Sequence, residues 1–284
     1  MTLANYAVAN ANAPVAISPG ISAPAGPKFP DLLGPGAPVR ARDFEAQGNA
    51  LHRNIAIAVW GIAMLGLVVG TMGAFLGLLI LGWLIAHVMR KRIQAQIKGT
   101  CLEVGPNQLP EIYACTKAFA ERLGLKEVPH IYIAEGNTAN AAAVRLGSRN
   151  IVFLIDDIVW GALKAGDPNA LSFIIAHELA HHALGHTSSL QLYLSTIYKP
   201  LSRLNELSCD AVALQLVGSR EAAYNGIIML MVGPQLVPYV NRAALFAQAE
   251  QVGQDKMTKK AEKVHSHPFV ARRLWELRNV GMGR

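Results

Sequence analysis

From Ile55 to Val88 the chain contains no Asp, Glu, Lys or Arg, and His87 is its only ionisable residue. As one straight helix this block would run about 50 Å, against a bilayer hydrocarbon core about 30 Å thick. Either a single span sits inside a longer helix or the segment folds back on itself. Gly70-Thr71-Met72-Gly73 at the midpoint offers a turn for the second arrangement. Arg40, Arg42 and Arg53 precede the block, and Arg90, Lys91, Arg92 and Lys98 follow it. Cationic flanks on both sides belong to the same face of a membrane, the cytoplasmic one, and only an even number of crossings brings that about. A helical hairpin is therefore the preferred reading, with halves of about 16 residues each. Gly61, Gly66, Gly70, Gly73, Gly77 and Gly82 would let the two helices approach closely.

Beyond the block the pattern is that of a globular domain. Glu111 to Leu123 places Ile112, Cys115, Phe119 and Leu123 on one helical face. Val128–Ala134 and Asn150–Ile155 read as strands. Asp167-Pro168 marks the start of a helix through the apolar stretch Ala170–Leu184. Further helices are expected over Leu201–Val217 and from about Pro268 to Arg278. The expected fold class is α+β and mainly helical, with a small β-sheet beside the helix that follows Pro168. Upstream, Pro14, Pro19, Pro24, Pro27, Pro30, Pro35 and Pro38 punctuate a segment rich in Ala, Gly and Asn. Such spacing breaks helices and weakens sheets, so residues 1–50 read as a disordered tail. It lacks the basic start and apolar core of a secretory signal. The division is then a tail at 1–50, a membrane segment at 51–92 and a folded domain at 93–284.

Composition agrees with a membrane segment: 52% of the 284 residues are hydrophobic and the mean hydropathy is +0.27. The formal charge of +7 fits cationic membrane flanks. No Arg-rich run or basic–aromatic interleaving points to nucleic acid. Cys101, Cys115 and Cys209 are odd in number and form no Cys-x-x-Cys, which favours a reducing compartment over a disulfide framework.

The chemistry concentrates at His177-Glu178-Leu179-Ala180-His181. On a helix, residues four apart lie about 40° and one turn from each other, so both imidazoles can reach one ion. Glu178 is offset toward a metal-bound water, where it would act as base. A third ligand is needed. A His six positions after the second fails, because Thr187 stands there and Leu184 replaces the intervening Gly; His186 and Gly185 are each off by one. A Glu from a following helix succeeds: Glu206 lies on Leu201–Val217, with Asp210 one turn on to accept a bond from a ligand imidazole. A solvated helix face is the competing reading of Glu206 and Asp210. His182 and His186, about 100° and 140° around the helix from His181, read as surface or supporting histidines.

Ser202-Arg203-Leu204-Asn205-Glu206-Leu207-Ser208-Cys209-Asp210 resembles the Ser-Arg-x-x-Glu-x-x-Ala-Asp block of the HtpX-like and CAAX prenyl protease family of gluzincins, with Cys209 where Ala is usual. Ser266-His267-Pro268 followed by Arg273 is similar to that family's C-terminal His-Pro element. Asn140-Ala141-Ala142 is similar to its Asn-Ala-Phe strand, with Ala142 in place of the aromatic. The HtpX branch carries further membrane helices after the metal helix, whereas Leu190–Ile197 here is too short to span a bilayer.

The resemblance implies a gluzincin domain holding one Zn²⁺ per chain on His177, His181 and Glu206, with Glu178 as base. It also implies that His267 lies near the site as an oxyanion donor; a plain helix-start histidine is the other reading. Arg273 would orient Asp210 or a backbone carbonyl, or else simply be exposed. Asn140 and Ala141 would meet an extended substrate. The implied partners are protein or peptide substrates, above all membrane proteins in quality control, and the lipid bilayer. The implied place is a bacterial inner membrane, with the domain on the cytoplasmic side. Two other classes stay open: a catalytically silent zinc-binding membrane scaffold, and a metalloenzyme of a different reaction type.

Overall fold

The computed structural model of the protein describes residue 32 and residues 36–136, 140–164 and 167–281. Residues 1–31 of the expected tail lie outside the described residues. Its last part, 36–50, is held against the folded domain. Val39 N–H donates to the Arg122 carbonyl at 2.8 Å, and Arg122 Nε–H donates to the Ala37 carbonyl at 2.9 Å. A short 3-10 turn follows at Ala41–Phe44, with Ala41 buried. Pro38 interrupts nothing here, because this stretch satisfies its polar groups on the domain rather than in a helix or sheet of its own.

The apolar block forms α1 (Asn49–Gly70) and α2 (Ala74–Thr100). Each is long and apolar enough to cross a bilayer. They have 22 and 27 residues, well beyond the expected halves, because both continue into the polar flanks. At the turn Met72 and Gly73 have φ of 52° and 87°. Gly73 takes that left-handed conformation without a Cβ clash. The Thr71 hydroxyl closes the turn, donating to the Leu67 carbonyl at 2.7 Å and accepting from Phe75 N–H at 3.2 Å.

Four strands follow: β1 (Leu102–Val104), β2 (His130–Ala134), β3 (Ala141–Leu146) and β4 (Arg149–Ile155), in the order β1-β2-β4-β3. β2 and β4 are parallel; the outer pairs are antiparallel. Gly147, at φ 68°, opens the two-residue turn that sets Leu146 opposite Arg149 and leaves β3 as an edge. The helices are α3 (Pro110–Arg122), α4 (Asp156–Lys164), α5 (Pro168–Ala183), α6 (Ser189–Ile197), α7 (Lys199–Val217), α8 (Arg220–Val232), α9 (Arg242–Gln254), α10 (Lys256–Glu262) and α11 (Val270–Asn279).

At the centre of the domain lies α5. Asp167 caps it by accepting from Asn169 N–H at 3.1 Å, and Pro168 occupies its first turn. Ala170 to Ala180 are all buried, so apolar residues surround the helix and its polar side chains Ser172, His177 and Glu178 are enclosed as well. The sheet, α3 and α4 cover one side; α7 and α8 cover the other. α8 packs tightly on α5 at Gly226, where a Cβ would fall 2.6 Å from the Phe173 ring.

Both feet of the hairpin grip this domain. Asn49 Nδ2 donates to Asn205 Oδ1 at 3.2 Å and to Ser208 Oγ at 3.0 Å, both on α7. Ala56 packs with Leu194 and Leu201, flanked by Trp60 and Tyr198. The other foot is lighter: Gln94 Nε2 donates to the Leu146 carbonyl, at the tip of the β3–β4 hairpin, at 3.1 Å.

Candidate metal centre

Two helices build the centre. α5 presents His177, Glu178 and His181; α7 packs beside it and presents Glu206 and Asp210. Lys199-Pro200 starts α7 and Gly218, at φ 63°, ends it in a left-handed cap. Those ends fix how far along α5 the carboxylates fall. His177 Nε2 lies 3.3 Å from His181 Nε2. Glu206 Oε2 is 3.5 Å from His177 Nε2, and Glu206 Oε1 is 3.5 Å from His181 Nε2. One ligand atom from each of His177, His181 and Glu206 therefore lies within 4.8 Å of the others.

Outer partners orient both imidazoles. His177 Nδ1–H donates to Asp210 Oδ1 at 2.9 Å, leaving the Nε2 lone pair for the cluster. Arg273 in turn holds Asp210 with two bonds, Nε to Oδ2 at 2.8 Å and Nη2 to Oδ1 at 2.7 Å. Arg273 is thus buried, not exposed. Burial works against the charge on Asp210, but the guanidinium and these hydrogen bonds hold its carboxyl below the usual range. His181 has an analogous partner: its Nδ1 is 3.3 Å from His186 Nδ1. Cys209 Sγ sits 3.5 Å from the same His186 atom. Burial and nearby carboxylates raise the Cys209 thiol well above its ordinary value.

His186 takes the supporting alternative rather than the surface one, at a position that helical spacing does not give. The helix ends at Ala183, so an angle counted onward to residue 186 has no meaning. Gly185, at φ 78°, turns the chain back; its N–H donates to the His182 carbonyl and His186 N–H donates to the His181 carbonyl at 2.9 Å. This is the 6→1 and 5→2 pattern of a Schellman cap, which lays its last residue against the third from the helix end. The glycine was the available signal. His182 is likewise buried rather than at the surface: it bonds the Ile151 carbonyl on β4 through Nε2 and Thr187 Oγ1 through Nδ1, both at 3.1 Å.

Glu178 is 7% exposed and faces the β3 edge, where an Ala143 backbone group hydrogen-bonds its carboxyl. Burial pushes the Glu178 pKa up to about 7. His267, on the loop before α11, places Nδ1 3.3 Å from Glu206 Oε2 while remaining exposed, and the Glu206 carboxylate raises its pKa. Asn140 and Ala141 do not touch the cluster; with Ala143 and Arg145 they line one wall of a cleft of about 520 Å³ that contains it.

The donor set suits a dication. Glu178, Glu206 and Asp210 are buried against a single buried guanidinium, Arg273. Burial opposes charge on His177, yet its bonds to Asp210 and Glu206 hold its pKa up to about 10. A proton is retained where two imidazole nitrogens and a carboxylate converge, and a cation would displace it.

No solved structure matches the chain. Residues 106–196 match the model of Peptidase family M48, and residues 168–280 match that of Peptidase U49. The two overlap across α5, and each covers less than half of the chain. Together they support a metallopeptidase family and point to a protease.

Proposed function

We propose that the protein is a membrane-anchored zinc metalloendopeptidase of the HtpX-like kind, with His177, His181 and Glu206 as its ligands. The observation that carries this reading is the convergence of those three groups beside a buried carboxyl, Glu178, in a cleft bounded by an edge strand. Peptidase family M48, matched over residues 106–196, consists of zinc metalloproteases. When bound, the ion supplies Lewis-acid polarisation of a carbonyl and of a water. Glu178 takes a proton from the attacking water and delivers it to the leaving nitrogen; burial raises its basicity, and the bound dication would set the working value below the metal-free one. His267 sits beside the cluster, exposed to the cleft, and donates to the oxyanion as it develops. Asp210 and Arg273 keep His177 in the tautomer that offers Nε2. His186 does the same for His181. The free edge of β3, from Asn140 and Ala141 onward, accepts an extended substrate by main-chain bonds, so sequence selectivity is modest.

The α1–α2 hairpin anchors the domain. Arg53 at one end and Arg90, Lys91 and Arg92 at the other favour the cytoplasmic side for the domain, and the HtpX-like resemblance favours a bacterial inner membrane. Unfolded membrane proteins, in quality control, are the substrates that fit this placement.

The test compares wild type with Glu178→Gln in zinc content and in hydrolysis of an unfolded protein. Equal zinc with hydrolysis lost is the expected result. Equal zinc with equal hydrolysis removes the mechanism and leaves a zinc-binding scaffold.

A further inference from the structure

α6 has an inverted surface. Its nine residues, Ser189 to Ile197, include no charged side chain. Leu190, Leu192, Tyr193 and Ile197 point outward with exposures of 40%, 57%, 48% and 58%. The polar Gln191 is turned inward, and its Nε2 is buried without a hydrogen-bond partner among the described residues. A helix facing water shows the opposite arrangement. The remaining outward groups, Ser189 and Thr196, are neutral.

The position of α6 says what covers this face. α6 packs on α1 through Leu194 against Ala56, with Trp60 and Tyr198 alongside. Ala56 and Trp60 lie three and seven residues beyond Arg53, so roughly 5 to 10 Å further along the helix axis. That is the depth at which charged flanks give way to hydrocarbon, and also the depth at which amphipathic helices lie in a bilayer surface. Trp60, Tyr193 and Tyr198 supply the aromatic side chains that such a level favours. The exposed apolar face of α6 therefore lies beside the exposed apolar surface of α1, and Lys199 is the nearest cation in sequence, just past the end of α6.

From this, and resting on the membrane anchoring proposed above, we infer that α6 lies in the bilayer surface and makes the lipid interface one wall of the substrate cleft. Leu192, Ser195 and Thr196 line that cleft opposite Asn140 to Arg145. The second foot of the hairpin meets the tip of β3, through Gln94 and Leu146, so both walls stand at the membrane end of the domain. The substrate class that fits is an extended segment leaving the bilayer, cut within a few residues of the lipid. A freely diffusing chain must instead be brought to the surface first.

The experiment uses the full chain in vesicles of phosphatidylcholine with a minority of phosphatidylglycerol. Cys115 and Cys209 are buried, so Cys101→Ser provides a background for single labels. An environment-sensitive dye is placed at Ile197→Cys on α6 and, separately, at Leu79→Cys on α2. Brominated lipid is the quencher. The expected result is loss of emission at both positions. Quenching at 79 but not at 197 overturns the inference while the anchor stands. Quenching at neither overturns both. A label at 197 that is shielded from water yet not quenched by lipid assigns the face to a second protein copy and also overturns the inference. In a second measurement, Leu190→Ser/Tyr193→Ser/Ile197→Ser retains wild-type cleavage of a soluble unfolded protein. It loses about tenfold on the same sequence tethered to the vesicle by a short linker, through lost positioning. Equal rates on the tethered substrate overturn the substrate class.

Discussion

Asp210 stands between two cations of different kinds, the Arg273 guanidinium and the imidazole that would hold the metal, and both contacts are buried. Arg273→Ala leaves that carboxylate without its main partner. The expected losses are about 3 to 5 kcal/mol of stability and about 10- to 100-fold in zinc affinity through the disoriented His177. Thermal melting and competition with a chelator measure the two separately. Glu178 has the opposite problem. Its folded pKa of about 7 exceeds the unfolded value of 4.5, so the metal-free folded state binds the extra proton between those values. Stability is therefore lost as pH rises through that window, by up to about 3 kcal/mol. Metal-free Glu178→Gln should melt higher than metal-free wild type at pH 8, with the two alike at pH 4. In the zinc form the same substitution should cost about 10² to 10⁴ in kcat. The acid limb of kcat/KM should lie below 7, because the bound dication pulls the Glu178 pKa down.

At the scale of elements, α5 controls the site because it carries His177, Glu178 and His181 and is packed from start to end. Its capping residue Asp167 also accepts a bond from Asn225 on α8, and Gly226 on the same helix admits the Phe173 ring. Gly226→Ala would bring a methyl to 2.6 Å from that ring and 3.1 Å from the Ala170 carbonyl. The expected cost is about 1 to 3 kcal/mol from overpacking. Phe173 lies one turn before His177, so zinc affinity should fall with stability. A denaturant midpoint and a zinc titration on the same preparation check this. The helix end matters as much as its start. Gly185 at positive φ places His186 under His181, so Gly185→Ala should weaken metal binding although residue 185 touches no ligand.

For the whole molecule, a metal on His177, His181 and Glu206 would tie α5 to α7, and α7 is tied through Asn205 and Ser208 to the first turn of α1. Removing zinc leaves Glu178, Glu206 and Asp210 buried against one guanidinium and a protonated His177 in place of a dication. A ligand at about 100 times its Kd stabilises by about 2.7 kcal/mol, so chelation should lower Tm by several degrees, and readded zinc should restore it. Scanning calorimetry of the intact chain in detergent reads this directly.

Local order in the chain was enough to determine the apolar block with its midpoint turn, strands read at 128–134 and 150–155 and found at 130–134 and 149–155, and a His-Glu-x-x-His helix opening at Asp167-Pro168. These follow from hydropathy runs, alternation and caps, all properties of neighbours in sequence. Spacing also nominated Glu206 and Asp210, because a carboxylate on a following helix is a countable pattern. What spacing could not decide was whether α7 lies in register with α5, since that depends on side chains packed across some 30 residues of chain. The burial of His182, the return of His186 beneath His181 and the grip of residues 36–50 on the domain belong to the same class. Each arises where a regular element ends and the chain changes direction, which periodicity does not describe. The uncharged outer face of α6 is written in Ser189–Ile197, but only its contact with α1 beyond Arg53 says at what depth that face lies.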